Sequence, residues 1–159
     1  MPADPSPPSR PLPALLTQVK EAALHKMRDR LAEEGYGDIR EGYGCVFGFI
    51  DIDEGSRLTE LAERAGLTKQ AVGEVIPELE QLGYLTREPD PRDRRAKIIK
   101  LTPKGRDACL TGRRLFAEIE REWADQLGED LLAGLRDAAE KIAAAERGEA
   151  AQAGTALRM

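Results

Sequence analysis

The stretch from Leu58 to Leu82 constrains the fold of this chain more than any other part of its sequence. Apolar residues recur there at helical spacing, and Gly66 stands where two crossing helices need a residue that tolerates positive φ. Ala62 is small where a second helix must pass close by, and Thr59 and Thr68 are the expected N-caps. The stretch therefore predicts two helices joined by a tight turn. The residues expected to face the core are Leu58, Leu61, Ala62, Ala65, Leu67, Ala71, Val72, Val75, Ile76, Leu79 and Leu82.

A charged β-hairpin is predicted to follow directly. Gly83 is expected to end the second helix, Tyr84 to Arg87 to form one strand, and Ala96 to Leu101 to form the returning strand. The segment from Glu88 to Arg95 contains two prolines, which remove donors from a strand ladder, so we expect a protruding loop. From Thr86 to Arg106, eight basic residues stand against three acidic ones. This segment thus carries a charge of +5, whereas the rest of the chain carries −10 and the whole chain −5.

Two helices joined by a tight turn and followed by a basic hairpin are typical of a winged helix-turn-helix, a DNA-reading unit. Contact with phosphate depends on the charge within about 10 Å at moderate salt, so a basic wing on an acidic body can bind DNA. Glu74 is ambiguous, because a carboxylate can accept a hydrogen bond from cytosine but otherwise repels phosphate. The residues expected at the DNA interface are Thr68, Lys69, Gln70, Glu74, Arg92, Asp93, Arg94, Arg95 and Lys97.

Short motifs follow one another in order along the middle third of the chain. They are Leu61-Ala62, Gly66-Leu67, Leu79 to Leu85, Arg87, Asp90 to Arg95 and Leu101 to Gly105. In this order and spacing they closely resemble the MarR family of bacterial transcription regulators. The resemblance implies a mainly α fold: a winged helix-turn-helix with a small β-hairpin wing, and N- and C-terminal helices that intertwine in a homodimer. It also implies that Asp93 holds Arg95, the arginine that enters the minor groove.

The segments on either side of the winged domain carry apolar stripes that this small domain cannot cover alone. We expect dimerisation helices at residues 14–37 and 103–147, and the winged helix-turn-helix domain at residues 38–102. Six prolines exclude a helix from residues 1–13 and predict a disordered arm. Residues 148–159 are small, polar and aperiodic, so we expect a disordered tail.

Two of the predicted helices contain residues that weaken them. A helix is expected from Asp38 to about Asp51 because the resemblance to the MarR family implies one there. Its three glycines lower helix propensity by about 1 kcal/mol each, and a strand from Cys45 to Ile52 is the competing interpretation. Pro77 lies inside the second helix of the helix-turn-helix, where its ring would press on the carbonyl of Gly73. We expect a tolerated kink there, and the alternative is a helix that stops at Ile76.

These features predict a homodimeric transcription regulator, in the simplest case a repressor, that binds a pseudo-palindromic operator in double-stranded DNA. Relatives of this fold bind small aromatic acids or lipophilic compounds between the dimer helices and the winged domain, which implies a small-molecule effector. The residues that would line its site are His25, Tyr36, Tyr43, Phe47 and Arg57. The alternatives are a winged-helix protein-interaction module without an operator and a regulator that senses oxidants through a cysteine.

Other classes of protein are disfavoured by composition. Cys45 and Cys109 make no metal-ligand spacing, so we expect no metal and two structural thiols. With one histidine, no nucleophile motif and no phosphate loop, the chain is not expected to be an enzyme or to hold a cofactor. No apolar run approaches a membrane span, and the basic-then-apolar order of a signal peptide is missing, so a cytoplasmic location without a membrane partner is expected.

Overall fold

The computed structural model describes residues 10–156, and it describes the side chains of residues 10–148. Contacts divide the chain into two compact units that meet between Phe116 and Ala117. The fold is mainly helical with one two-stranded hairpin, as predicted. The elements are α1 (Leu12–Glu33), a 3₁₀ turn (Glu41–Tyr43), α2 (Gly44–Phe47), α3 (Leu58–Ala65), α4 (Lys69–Gln81), β1 (Leu85–Asp90), β2 (Asp93–Leu101), α5 (Pro103–Leu127) and α6 (Glu129–Ala156).

The core of the first unit lies beneath the helix-turn-helix. Because residues three and four positions apart share one face of a helix, α3 and α4 each bury a single apolar stripe and leave the opposite face to solvent. Residues of the hairpin and of the first turns of α5 complete this core. The buried cluster consists of Tyr43, Val46, Ile50, Leu61, Ala62, Val72, Ile76, Leu79, Tyr84, Leu85, Ile99 and Ala108.

The turn between α3 and α4 is the one that the sequence predicts. Gly66 ends α3 with a φ of +66°, and the N–H of Leu67 donates to the carbonyl of Ala62 at 3.0 Å. A left-handed glycine followed by such a bond is a common way to close a helix, because it satisfies carbonyls that have no partner within the helix. Thr68 then caps α4, since its hydroxyl accepts the N–H of Ala71 at 3.1 Å.

The N-cap of α3 differs from the prediction. Arg57, two residues before Thr59, is the cap residue, and α3 begins at Leu58. The backbone N–H of Arg57 donates to the Glu60 carboxylate at 2.8 Å, which satisfies a donor at the start of the helix. The acidic side chain at the third position of the helix therefore satisfies the N–H of the cap residue, which is a different donor from the one that a threonine hydroxyl at the cap would satisfy.

The helix predicted from Asp38 to Asp51 is wrong in extent. Only the 3₁₀ turn and the four-residue α2 form, and the segment from Cys45 to Ile52 is not a strand either. Glycine has poor helix propensity, and α2 ends at Gly48. The Asp51 carboxylate accepts the next two available N–H groups, those of Asp53 and Glu54, at 2.9 and 2.8 Å. Such a turn competes with continuation of the helix.

The wing has longer strands and a shorter loop than the sequence predicts. β1 and β2 run in antiparallel register from the Leu85/Leu101 pair to the Asp90/Asp93 pair, with an irregularity after Pro89. Proline is accommodated because a two-stranded ladder leaves alternate N–H groups of each strand unpaired. Only Pro91 and Arg92 lie between the strands. On the other edge of β2, Ile99 exchanges two backbone hydrogen bonds of 2.9 Å with Ser56.

Two helix ends differ from the predicted boundaries, and the continuity of α4 rules out the alternative interpretation for Pro77. α1 begins at Leu12 because Pro13 falls in its first turn, where a missing N–H does no harm. α4 runs unbroken through Pro77, so it does not stop at Ile76. α6 continues past Gly148 to Ala156, in an alanine-rich stretch that favours helix. The rest of the predicted arm and tail, residues 1–9 and 157–159, lies outside the described residues.

Large apolar side chains are exposed on α1, α5 and α6 in the single chain. The stripe predicted to be buried along α5 includes Leu110 and Leu127, which are 48% and 56% exposed. Leu131 on α6 is 63% exposed. Contiguous exposed apolar surface is uncommon on a monomer and marks an interaction site. The other exposed members are Leu12, Leu15, Leu16 and Val19 on α1, Phe116 on α5, and Leu135 and Ile142 on α6.

Candidate nucleic-acid interface

The first turn of α4 presents polar side chains to solvent. Lys69, Gln70 and Glu74 are exposed, and the Gln70 amide lies 3.5 Å from the Glu74 carboxylate, at the limit of a hydrogen bond. The Thr68 hydroxyl is also exposed, although one of its lone pairs already serves the helix cap. These four residues form the outward face that the sequence predicts, and this face has the length and polarity to enter a major groove.

The tip of the wing carries the exposed arginines. Arg92, Arg94 and Arg95 are all exposed, and so is Asp93. The Asp93 carboxylate accepts the backbone N–H of Arg95 at 3.1 Å, whereas the role that the resemblance implies for this pair concerns the Arg95 side chain and stays a prediction. The bond fixes the strand that carries the guanidinium.

Asp90 is the most deeply buried charged residue of the wing, and sequence reasoning missed it as part of the site. Its side chain is fully buried; one oxygen accepts the backbone N–H of Arg92 at 2.8 Å and the other accepts Arg57 Nε at 2.5 Å. The Arg92 bond, and then the Arg57 guanidinium, hold the pKa of the Asp90 carboxyl below its usual range. The Asp-Pro pair at a turn was the available signal, because aspartate at such a position bonds its own backbone two residues on.

The residues predicted to line an effector site are only partly brought together. Phe47 lies edge-on to Tyr84, with ring centroids 5.6 Å apart, and Tyr36 lies 6.5 Å from the same ring. Tyr36 donates a hydrogen bond to Asp107, which raises the pKa of the phenol. Tyr43 is buried, and its hydroxyl donates to Glu78 at 2.9 Å. Tyr36 and Phe47 therefore lie around the Tyr84 ring, and Tyr43 belongs to the same core.

Two of the predicted effector residues do not join this group within the described chain. His25 is exposed on α1, where Nδ1 accepts from Arg28 at 2.8 Å and Nε2 lies 3.7 Å from Asp29. Arg57 is bound to Asp90 at the wing. Both are engaged by neighbours of their own and not by the aromatic group around Tyr84.

Tyr84 is a further residue that the sequence did not single out. Its hydroxyl donates to Asp38 at 2.5 Å, and Lys104 Nζ lies 4.1 Å from the ring centroid, a cation–π distance. Burial, and then the Asp38 hydrogen bond, raise the pKa of this phenol. The contacts fix the start of α5 against the hairpin.

Neither cysteine has the surroundings of a reactive thiol. Cys109 is buried and Cys45 is half-buried, and burial raises the pKa of both thiols. A raised pKa lowers the thiolate fraction, and the thiolate is the reactive form. Among residues 10–148 no group of histidine, cysteine and carboxylate side chains is arranged to hold a metal ion. No helix in the described part of the chain is long and apolar enough to cross a bilayer.

The comparisons with known proteins agree with the geometry. The model of the MarR family matches residues 43–96. A transcriptional repressor, CouR, bound to a 23-mer DNA duplex is 25% identical, with a TM-score of 0.69 over 84% of this chain and 92% of that one. CouR from Rhodococcus jostii RHA1 bound to p-coumaroyl-CoA is also 25% identical, with a TM-score of 0.68 over 81% and 89%.

Wild-type MarR from E. coli in its apo form shares the fold at 23% identity, with a TM-score of 0.65 over 84% of this chain and 97% of that one. A comparison with curated proteins gave no match. The family model covers the helix-turn-helix and most of the wing, and the fold is similar to that of these regulators over more than four fifths of the chain. The middle part of the chain is therefore similar to the MarR family, and the chain has the fold of winged helix-turn-helix transcription regulators.

Proposed function

We propose that this protein is a homodimeric repressor that binds a pseudo-palindromic operator and is released by a small aromatic or lipophilic effector. The observation that carries the proposal is the wing, which has exposed arginines in its two-residue loop and at the start of β2. The wing follows a helix with a polar, exposed first turn. CouR, which shares the fold at 25% identity, has been solved on a DNA duplex. A transcription regulator of a bacterial family acts in the cytoplasm, and we propose that location.

The homodimer is supported by the apolar side chains exposed on α1, α5 and α6. Burying such surface against a second copy removes it from water, at about 25 cal/mol for each Å². A symmetric dimer presents two copies of α4 related by a twofold axis. These helices can enter successive major grooves, so the half-sites should be centred about 34 Å apart along the duplex.

The effector is supported by the aromatic group around Tyr84 and by the p-coumaroyl-CoA complex of CouR. Tyr36 and Phe47 offer faces and edges to which an aromatic ligand can stack. A ligand bound there would contact α2 and the start of α5. Such a ligand can shift the regulator from its DNA-binding state only if it binds the other state more tightly.

Selection from a pool of random duplexes tests the proposal. The purified protein should enrich a sequence with two inverted half-sites separated by about one helical turn. Enrichment of a single half-site would contradict the dimer. The absence of any enrichment, with binding that does not change with salt, would favour the protein-interaction module instead.

The redox alternative has a separate test. Because both thiols have raised pKa values and Cys109 is buried, we expect oxidant treatment to leave operator binding unchanged. A double variant in which Cys45 and Cys109 are both serine should then bind like the parent. Loss of binding in oxidant that this variant prevents would support a cysteine sensor.

A further inference from the structure

A cleft of about 360 Å³ lies between α3, α4 and the hairpin, and three cationic side chains line it. Arg57 comes from the N-cap of α3, Arg87 from β1 and Lys97 from β2. Among the described residues that line this cleft, none carries a carboxylate. Ile76 and Ile99 contribute to an apolar wall, where a charge interaction is screened less than in open water.

Each of the two arginines of the cleft is held by a carboxylate that contacts its Nε and Nη2 atoms. Arg57 directs Nε and Nη2 to one oxygen of Asp90, each at 2.5 Å. Arg87 directs Nε and Nη2 to Glu80 at 3.0 and 2.8 Å. Because a guanidinium has five N–H donors, this arrangement leaves the Nη1 edge available to a further acceptor. Arginines that are already oriented lose less conformational entropy when they bind one.

The charges of the cleft match a single monoanion. Asp90 and Glu80 neutralise the two arginines that they hold, and Lys97 is exposed without an ion-pair partner among the described residues. The group of three cations and two carboxylates therefore carries a net charge of +1. A phosphodiester carries one negative charge and two oxygens that accept hydrogen bonds from such donors.

We propose that this cleft binds a phosphate of the DNA backbone. The proposal rests on the proposed function: with α4 in the major groove and the wing in the minor groove, one strand must pass between them. Thr59 in the cleft offers a hydroxyl donor. Gly73 leaves room on the α4 side, since a Cβ added there would meet only Leu58, at 3.8 Å. Arg57 and Arg87 thereby belong to the DNA interface, and Arg57 does not belong to the effector site.

The salt dependence of DNA binding tests this assignment. Binding of a random-sequence duplex of two helical turns would be measured by fluorescence anisotropy over a series of salt concentrations. Loss of one phosphate contact reduces the magnitude of the slope of log K against log salt by about 0.9. A dimer on the duplex carries two copies of the cleft, so we expect a reduction of about 1.8 for Arg87→Gln. The matched control, Lys20→Gln, removes one charge from exposed α1 and should keep the parent slope.

Arg57 needs a paired substitution, because Arg57→Gln alone would leave the buried Asp90 carboxylate with only the Arg92 guanidinium, at 3.6 Å, as its ion-pair partner and could unfold the protein. The double variant Arg57→Gln with Asp90→Asn removes one charge of each sign, so the net charge of the protein stays the same. The magnitude of its slope should nevertheless fall by about 1.8, because a specific phosphate donor is gone from each protomer of the dimer. Circular dichroism would verify that each variant is folded.

The outcomes separate this inference from the proposed function. In one outcome, binding by the parent falls steeply with salt while both folded variants keep the slope of the parent. This result would overturn the cleft assignment but not the proposed function. A parent that binds no duplex would overturn the proposed function. A free phosphate ion is the other ligand with the same chemistry. It would raise the melting temperature of the parent but not of Arg87→Gln, and the salt slopes of DNA binding would be equal in the two proteins. That combination would overturn the assignment to the DNA backbone.

Discussion

At the scale of single residues, the wing combines one buried carboxylate with arginines that stay in water. Asp90 is fully buried and joins the wing loop to the N-cap of α3 through Arg92 and Arg57. Asp93 makes the same kind of backbone bond on the surface, to Arg95. Each carboxylate bonds the backbone of an arginine, so the exposed arginines of the wing are carried by a backbone that is already ordered.

The exposed wing arginine should matter for binding and little for folding. Arg95→Ala is expected to weaken operator binding by about 1 to 3 kcal/mol, because an interface contact is lost. Its effect on the free energy of unfolding should stay within about 0.5 kcal/mol, as for most surface changes. Asp93→Ala should cause part of the same binding loss. Equilibrium titration and urea unfolding measure the two effects, and parent-like binding by both variants would contradict a DNA contact by the wing.

Asp90 should make stability depend on acid pH. Its pKa is lowered in the folded protein, so its stabilisation is present above the unfolded value of about 3.9 and is lost as the pH falls through the folded value. Asp90→Asn should therefore be less stable than the parent at pH 7, and the difference should shrink at acid pH below about 4. Urea midpoints of both proteins across pH measure this. A difference that is constant with pH would contradict the ion pair.

At the scale of elements, the helix-turn-helix could be predicted from its residues, and the wing and the segment before α3 only in part. Gly66 and Thr68 act locally, so their spacing was enough to place the turn and the cap. Strand length in the wing depends on pairing across the hairpin, which tolerates Pro89. The pairing of Arg57 with Asp90 joins residues far apart in the chain, and no local pattern indicates such a contact.

Pro77, inside α4, gives a prediction at this scale. α4 is continuous through it, so the helix lacks one backbone hydrogen bond at an exposed position. Pro77→Ala can restore the bond to the Gly73 carbonyl, and we expect a higher free energy of unfolding, by up to about 3 kcal/mol. If the proline also bends the helix, operator affinity should change at the same time. Unchanged stability and unchanged affinity would show that the proline has no role.

At the scale of the whole molecule, exposed apolar side chains on α1 and α6 predict a dimer. The protein should sediment as a dimer at micromolar concentration, and a chain that ends at Leu127 should aggregate or unfold because the interface is incomplete. Leu135→Glu should shift the equilibrium towards monomer, whereas the control Lys141→Glu adds negative charge to the same helix without removing apolar surface. A stable monomer in the parent would contradict the twofold arrangement on which a palindromic operator depends.

Equilibrium binding to the selected operator, at one near-physiological salt concentration, is the most direct test of a dimeric DNA-binding regulator. The measurement compares that operator with a scrambled duplex of the same length and composition, and determines the number of protomers bound to each. We expect two protomers on the operator and an affinity at least about 10³-fold higher than for the scrambled duplex. Equal affinities for the two duplexes would contradict sequence-specific regulation by this protein.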